Sequence, residues 1–261
     1  MTVFGTYEWA VKNYNIVSGC NHNCKYCYSR EMAIRFKRKS TDTWKNEEKL
    51  KSNGNLKIGK VKGQVMFPSS HDITPENLQL SIDAINSILT KDNNLLIVSK
   101  PHLICISKIC GEFRHYKKNI LFRFSIGSSD NSILNFWEPN APSFEERLNS
   151  LKYAYNLGYR TSVSCEPMLD DNISDVVDKV LPYVTDSVWI GKMNFLIRRL
   201  KMNGYTDRKS MSMANQLLEW QNDEKIYALY HRYKHNSLIK WKESIKKVLN
   251  LKISNIKGLD N

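Results

Sequence analysis

The chain has no apolar run approaching the length of a membrane span, so no transmembrane helix is expected and no membrane partner. Its 11 glycines include no Gly-x-Gly-x-x-Gly, which removes the usual fingerprint of a dinucleotide-binding Rossmann fold. Met1–Gly5 carries no basic residue and starts no long apolar stretch, so it does not read as a secretory signal. Six cysteines without such a signal argue for a reducing compartment, and the expectation is a cytoplasmic protein. Acid is also scarce, with 26 Asp and Glu against 39 Lys and Arg. At 261 residues and 41% apolar composition, one large α/β domain is expected, or one with a helical appendix.

The shortage of acid is uneven. Residues 1–62 hold 13 basic against 5 acidic side chains, residues 63–196 hold 12 against 15, and residues 197–261 hold 14 against 6. Two basic flanks around a mildly acidic centre suit an anionic partner, and nucleic acid is the expected one. Lysine supplies 28 of the 39 basic residues and Asn is abundant, so compositional drift explains the same count equally well.

What the chain does have is the string Gly19-Cys-Asn-His-Asn-Cys-Lys-Tyr-Cys-Tyr28. Cys20, Cys24 and Cys27 can hold three corners of a cubane 4Fe–4S cluster and leave the fourth iron without a protein ligand. An open metal position is what a metal needs to bind a substrate or cofactor, and this points to an enzyme. The alternative is a closed zinc site with His22 as fourth donor, and no second Cys-x-x-Cys follows to complete one. His22 lies between the first two cysteines, where closing a ring around one ion is strained. An odd local set does not fit a disulfide framework.

Along the chain, short apolar runs alternate with helical patterns. Strands are expected at Tyr14–Ser18, Gln64–Phe67, Leu95–Val98, Ile120–Ile126, Arg160–Ser164 and Ser187–Ile190. Helices are expected at Tyr28–Arg38, after Thr74-Pro75-Glu76, near Leu103–Phe113, from Ser143 to about Leu157, and at Ile173–Val184. Residues 39–63 read as an exposed, Lys-rich insertion of helix and loop. After Asn194, Asn215–Leu218, Ile226–Tyr233 and Leu238–Leu249 read as helices, the last one basic and amphipathic. That last helix either docks through Trp241 and Ile245 or tracks phosphates, with Tyr227, Tyr230 or Tyr233 stacking. Parallel strands joined by helical crossovers collect polar residues at one mouth.

These features together resemble the radical SAM (S-adenosylmethionine) enzymes, and within them the subgroup related to spore photoproduct lyase. The resemblance rests on the cysteine string, Phe67-Pro-Ser-Ser-His-Asp72, Val98-Ser-Lys-Pro101, Phe124-Ser-Ile126 and Glu138-Pro-Asn-Ala-Pro-Ser-Phe-Glu-Glu-Arg-Leu148, in family order over about residues 13–195. It implies a partial (β/α)6 TIM-type barrel over residues 1–195, with residues 196–261 as a C-terminal helical extension packed on it. It implies a 4Fe–4S cluster and SAM, reductive cleavage of SAM to a 5′-deoxyadenosyl radical, and hydrogen abstraction from a substrate. An electron donor such as flavodoxin or ferredoxin goes with that chemistry.

By the same resemblance Tyr26 lies near the adenine, and Ser70 and Asp72 near the methionyl group. Lys100 and Ser125 are expected at the SAM carboxylate, and Glu166 at ribose or methionyl. Local alternatives are loop packing for Tyr26, an Asx turn for Asp72 and a turn before Pro167 for Glu166. Cys105 and Cys110 are expected to pack rather than join an auxiliary cluster. Cys165, at a strand end, is placed facing the mouth, where its thiol can return a hydrogen atom, and packing is the role expected ahead of that one. Spore photoproduct lyases place a donor cysteine after the second strand, where this chain has Pro68-Ser69-Ser70, so photolesion repair is not implied. The expected substrate is a nucleic acid or nucleotide. The alternatives are a radical enzyme acting on a peptide or small metabolite, and a non-catalytic zinc-containing nucleic-acid-binding module.

Overall fold

Leu95–Val98 is apolar at every position, as a strand buried on both faces must be, and Ile120–Phe124 departs from that only at Arg123, whose guanidinium is buried against the Trp9 and Trp189 rings. The computed structural model describes residues 3, 5–50 and 58–258. In chain order its strands are β1 (Lys12–Asn13), β2 (Val17–Ser18), β3 (Glu48–Lys49), β4 (Gln64–Phe67), β5 (Asn94–Ser99), β6 (Ile120–Ser125), β7 (Arg160–Cys165), β8 (Val188–Ile190) and β9 (Ile239–Trp241). The helices are α1 (Tyr28–Arg35), α2 (Leu78–Leu89), α3 (Leu103–Glu112), α4 (Asn131–Trp137), α5 (Phe144–Asn156), α6 (Ile173–Val180), α7 (Leu196–Met202), α8 (Arg208–Trp220), α9 (Asp223–Tyr233) and α10 (Glu243–Val248).

Seven strands form one parallel sheet in the order β1-β4-β5-β6-β7-β8-β9, with Leu95 opposite Ile120 and Val163 opposite Val188. Its outward side chains and the surrounding helices make the main core. The inward face is concave. Met66, Leu96, Leu121 and Trp189, from four different strands, meet Trp9 in one cluster, with Trp9 and Trp189 ring centroids 5.8 Å apart. Residues from before the first strand and from the sixth touch across the interior, so the sheet is curled as in a partial TIM-type barrel.

Several expected elements differ. The Tyr14–Ser18 strand is replaced by β1, which joins the large sheet, and β2, which pairs antiparallel with β3. Over its described residues the 39–63 segment has no helix, and it is not simply exposed: Trp44 and Ile58 are buried, and Trp44 packs against Cys20 and Ala33. Residues 51–57 of that segment lie outside the described residues. The helix expected over Leu238–Leu249 divides into β9 and α10, so the C-terminal extension is not purely helical and supplies the seventh strand. Trp241 and Ile245 are buried, as docking requires.

Candidate active site

The cysteine loop begins at Gly19 because no side chain fits there. Its φ is +100°, and a Cβ would lie 2.5 Å from the Asn46 carbonyl oxygen and 2.7 Å from that of Trp44. The Cys20 N–H donates to that Trp44 carbonyl at 3.0 Å, so the segment expected as an insertion seats the loop. Asn23 turns the chain at φ +51°. Cys27 caps α1, its Sγ accepting from the Arg30 N–H at 3.4 Å.

All three thiols face one cavity of about 530 Å³. Tyr26, Ser70, Asp72, Lys100, Ser125 and Glu166 line it as well, arriving from the loop and from the C-terminal ends of β4, β5, β6 and β7. Cys165 does not. Side chains alternate along a strand, so Ser164 lines the cavity while Cys165 points out into the main core at 0% exposure. The placement of this thiol at the mouth is corrected by one residue of register, and its burial fits the packing role instead. Cys105 and Cys110 are buried in the same core.

Asp72 is the hub of the polar side. Its Oδ1 accepts from Ser99 Oγ at 3.0 Å and from the Lys100 N–H at 2.7 Å. Its Oδ2 lies 2.9 Å from His22 Nδ1 and 3.5 Å from Lys100 Nζ. Burial works against the Asp72 charge, but Lys100 and His22 outweigh it and hold the carboxyl well below the usual carboxylate range. Burial likewise opposes the Lys100 charge, and facing Asp72 raises that ammonium well above the lysine range instead. Lys100 thus stays charged, with its ammonium also 3.9 Å from Glu138 Oε1.

A second buried chain supports Tyr26. Its hydroxyl donates to Glu138 Oε1, and Arg147 Nη2 holds Glu138 Oε2 at 2.6 Å. Arg147 in turn donates to the Pro142 carbonyl at 2.8 Å and the Ser125 carbonyl at 3.2 Å. Ser70 is fixed by its own N–H, which donates to Asn15 Oδ1 at 2.8 Å. Burial pulls the Glu166 carboxyl up, against the effect of Lys242 Nζ 3.3 Å away. Glu138, Arg147 and Lys242 were not singled out from sequence, and His22 was read only as an alternative zinc donor. Glu138, Arg147 and His22 do stand in strings that carried the resemblance, and nothing local marks Lys242.

The donor set fits an iron–sulfur cluster. Burial pushes the thiols of Cys20, Cys24 and Cys27 up, with the Asp72 charge adding to this at Cys20, so a bound cation is needed to ionise them. Cys20, His22 and Asp72 lie within 4.8 Å of one another, close enough for a single ion. That trio leaves out Cys24 and Cys27, however. His22 also has both ring nitrogens engaged, Nδ1 with Asp72 and Nε2 with His102 Nε2, each at 2.9 Å. Three soft donors on an open cavity match a cluster held at three corners.

A three-thiol loop at the mouth of a curled parallel sheet defines a class, and comparison places the chain in it. Residues 14–180 match the family model of the Radical SAM superfamily, and the chain belongs to that superfamily, whose cofactors are a 4Fe–4S cluster and SAM. It is 24% identical over 172 residues to uncharacterized protein MJ0683 of Methanocaldococcus jannaschii, over 63% of this chain and 64% of that protein. In fold it is similar to a cysteine-to-alanine mutant of spore photoproduct lyase with dinucleoside spore photoproduct. There the TM-score is 0.51 and identity 17%, over 75% of this chain and 61% of the lyase. SuiB of Streptococcus suis bound to S-adenosylmethionine gives a TM-score of 0.50 and 12% identity, over 93% of this chain and 50% of SuiB. The chain therefore spans less than two thirds of each of these proteins. Among the described residues no helix is long and apolar enough to cross a membrane.

Proposed function

We propose that the chain is a radical SAM enzyme that abstracts hydrogen from a nucleic acid or nucleotide, as a repair or modification step. The observation that supports it is the convergence of Cys20, Cys24 and Cys27 with six polar or aromatic side chains on one cavity. A bound cluster and SAM would supply one-electron reductive chemistry and hydrogen-atom abstraction. An external donor such as a flavodoxin or ferredoxin provides the electron.

The chain's own residues position and exclude. The three thiols hold the cluster. Lys100, kept charged by Asp72, pairs with the SAM carboxylate, and Ser70 and Ser125 offer hydroxyls beside it. Tyr26, tethered through Glu138 to Arg147, packs at the adenine. Glu166, steadied by Lys242, accepts from ribose hydroxyls. Trp9, Met66 and Val98 line the same cavity with apolar surface, which keeps water from the reacting centre. The two basic flanks support the nucleic-acid part of the reading.

Anaerobic reconstitution with iron and sulfide tests the first part. A brown protein that forms 5′-deoxyadenosine with dithionite is expected, and Cys24→Ala abolishes both colour and product. Colourless protein holding one zinc overturns it. Oligonucleotide binding that weakens steeply with salt is expected for the second part. A peptide or metabolite that raises 5′-deoxyadenosine formation, with no oligonucleotide binding, overturns that part alone.

A further inference from the structure

The rim of the cavity carries two exposed rings that the chemistry above does not use. Phe195 lines the cavity yet is 66% exposed, and it holds φ +56° and ψ +32°. That left-handed conformation is an outlier for a bulky side chain and persists only where the surroundings impose it. The surroundings do so here. Leu196 and Leu200 are buried, and Asn203, following α7, donates to the carbonyls of Lys25 at 2.8 Å and Cys27 at 3.0 Å. Arg198 and Arg199 reach Glu31 on α1 at 2.9 and 3.7 Å. Helix α7 is thereby pinned to the cysteine loop and presents Phe195 at the mouth. Tyr28, the residue after Cys27, is the second exposed ring, its hydroxyl donating to the Ser69 carbonyl at 3.2 Å.

Arginines accompany the exposed phenyl rings of these two helices. The Arg198 guanidinium lies 4.6 Å from the Phe195 ring centroid. At the end of α1, Phe36 is exposed with Arg35 and Arg38 each 5.8 Å from its centroid. Helices α1 and α7 pack together, and Arg198 lines the same cavity as Phe195 and Tyr28. Exposed rings lose free energy in water and gain it by stacking, and arginine beside them suits both a base and its phosphate. Glu31 takes up part of the charge of Arg198 and Arg199, so the rings rather than net charge carry the selectivity.

We propose that Phe195 and Tyr28 receive an unstacked base of single-stranded nucleic acid at the cavity mouth, with Arg198 holding the backbone beside it. The assignment rests on the nucleic-acid reading above. The test compares a short oligodeoxynucleotide with a fully abasic oligomer of the same length, using the reconstituted full chain. Wild type is expected to prefer the base-bearing oligomer by about tenfold or more. Phe195→Gly removes both ring and strain and is expected to lose that preference, while its thermal midpoint reports an intact fold. Phe195→Trp is expected to restore it. Equal binding of the two oligomers by wild type, or an unchanged preference in Phe195→Gly, overturns the stacking site and leaves the nucleic-acid reading standing. Binding of neither oligomer at any salt concentration overturns both, in favour of a peptide or metabolite.

Discussion

His71, on the segment between β4 and α2, has both ring nitrogens committed. Nε2 accepts from the Ile16 N–H at 3.2 Å, so Nδ1 carries the proton and donates to the Asp72 carbonyl at 3.0 Å. Protonating Nε2 would set two N–H groups against each other. Burial lowers the His71 pKa from 6.5 to about 4. Above pH 6.5 the ring is neutral folded or unfolded and costs nothing. As pH falls from 6.5 towards 4 the unfolded chain takes up a proton that the folded chain refuses, so stability drops through that window, by up to roughly 3 kcal/mol. Urea denaturation across this range is expected to show the decline, and His71→Asn, which cannot titrate, is expected to flatten it. An identical slope in the variant would mean that other groups carry the acid sensitivity. Cys165 shows the same scale from the other side: moving one position along a strand exchanges the cavity for the core, and a strand's inward parity is not set by its own residues.

At the scale of elements, the cysteine loop depends on pieces distant in sequence. Asn203 is buried and satisfies the carbonyls of Lys25 and Cys27 together. Asn203→Ala is expected to cost about 1–3 kcal/mol by taking the side-chain donor from the Lys25 carbonyl and one of the two donors, the other being the Glu31 N–H, from that of Cys27. Asn203→Asp, equal in size, is expected to cost more, because it aims a carboxylate at them. Thermal unfolding with measurement of iron retained after reconstitution checks both, and the reverse order would show that Asn203 acts by shape alone. The loop itself was legible in the sequence because its spacing is local: Cys20, Cys24 and Cys27 converge within eight residues. The central strands were legible through their apolar runs. Strand β1 is Lys-Asn and β9 is Ile-Lys-Trp, too short for any period to register. The burial of Trp44 under Cys20 and the bond from His22 to Asp72, 50 residues apart, follow from tertiary packing that no local pattern carries.

The whole molecule is closed by a pair of charges. Glu8 precedes β1 and Lys242 follows β9, so the two stand by the opposite edges of the sheet, and their side chains meet at 2.6 Å, both fully buried. Lys242 also donates to the Gly5 carbonyl at 3.0 Å, and its ammonium lies 4.1 Å from the Trp9 ring centroid. Glu8 Oε2 accepts from the Glu243 N–H at 3.2 Å. A buried ion pair stabilises little over an apolar pair of the same shape, yet removing one partner strands the other's charge. Lys242→Met is therefore expected to cost about 3–5 kcal/mol, since it leaves Glu8 and Glu166 without their shared cation. Glu8→Gln combined with Lys242→Met is expected to be markedly more stable than the single Lys242→Met change. Urea denaturation of the two single variants and the double variant gives the coupling directly, with at least about 2 kcal/mol expected. Additive effects would show that the sheet's edges are held by Trp9 and its apolar neighbours. Because Lys242 also steadies Glu166 at the cavity wall, the double variant is expected to recover stability without recovering substrate-dependent 5′-deoxyadenosine formation. Closure of the barrel and placement of a cavity carboxylate thus depend on one side chain.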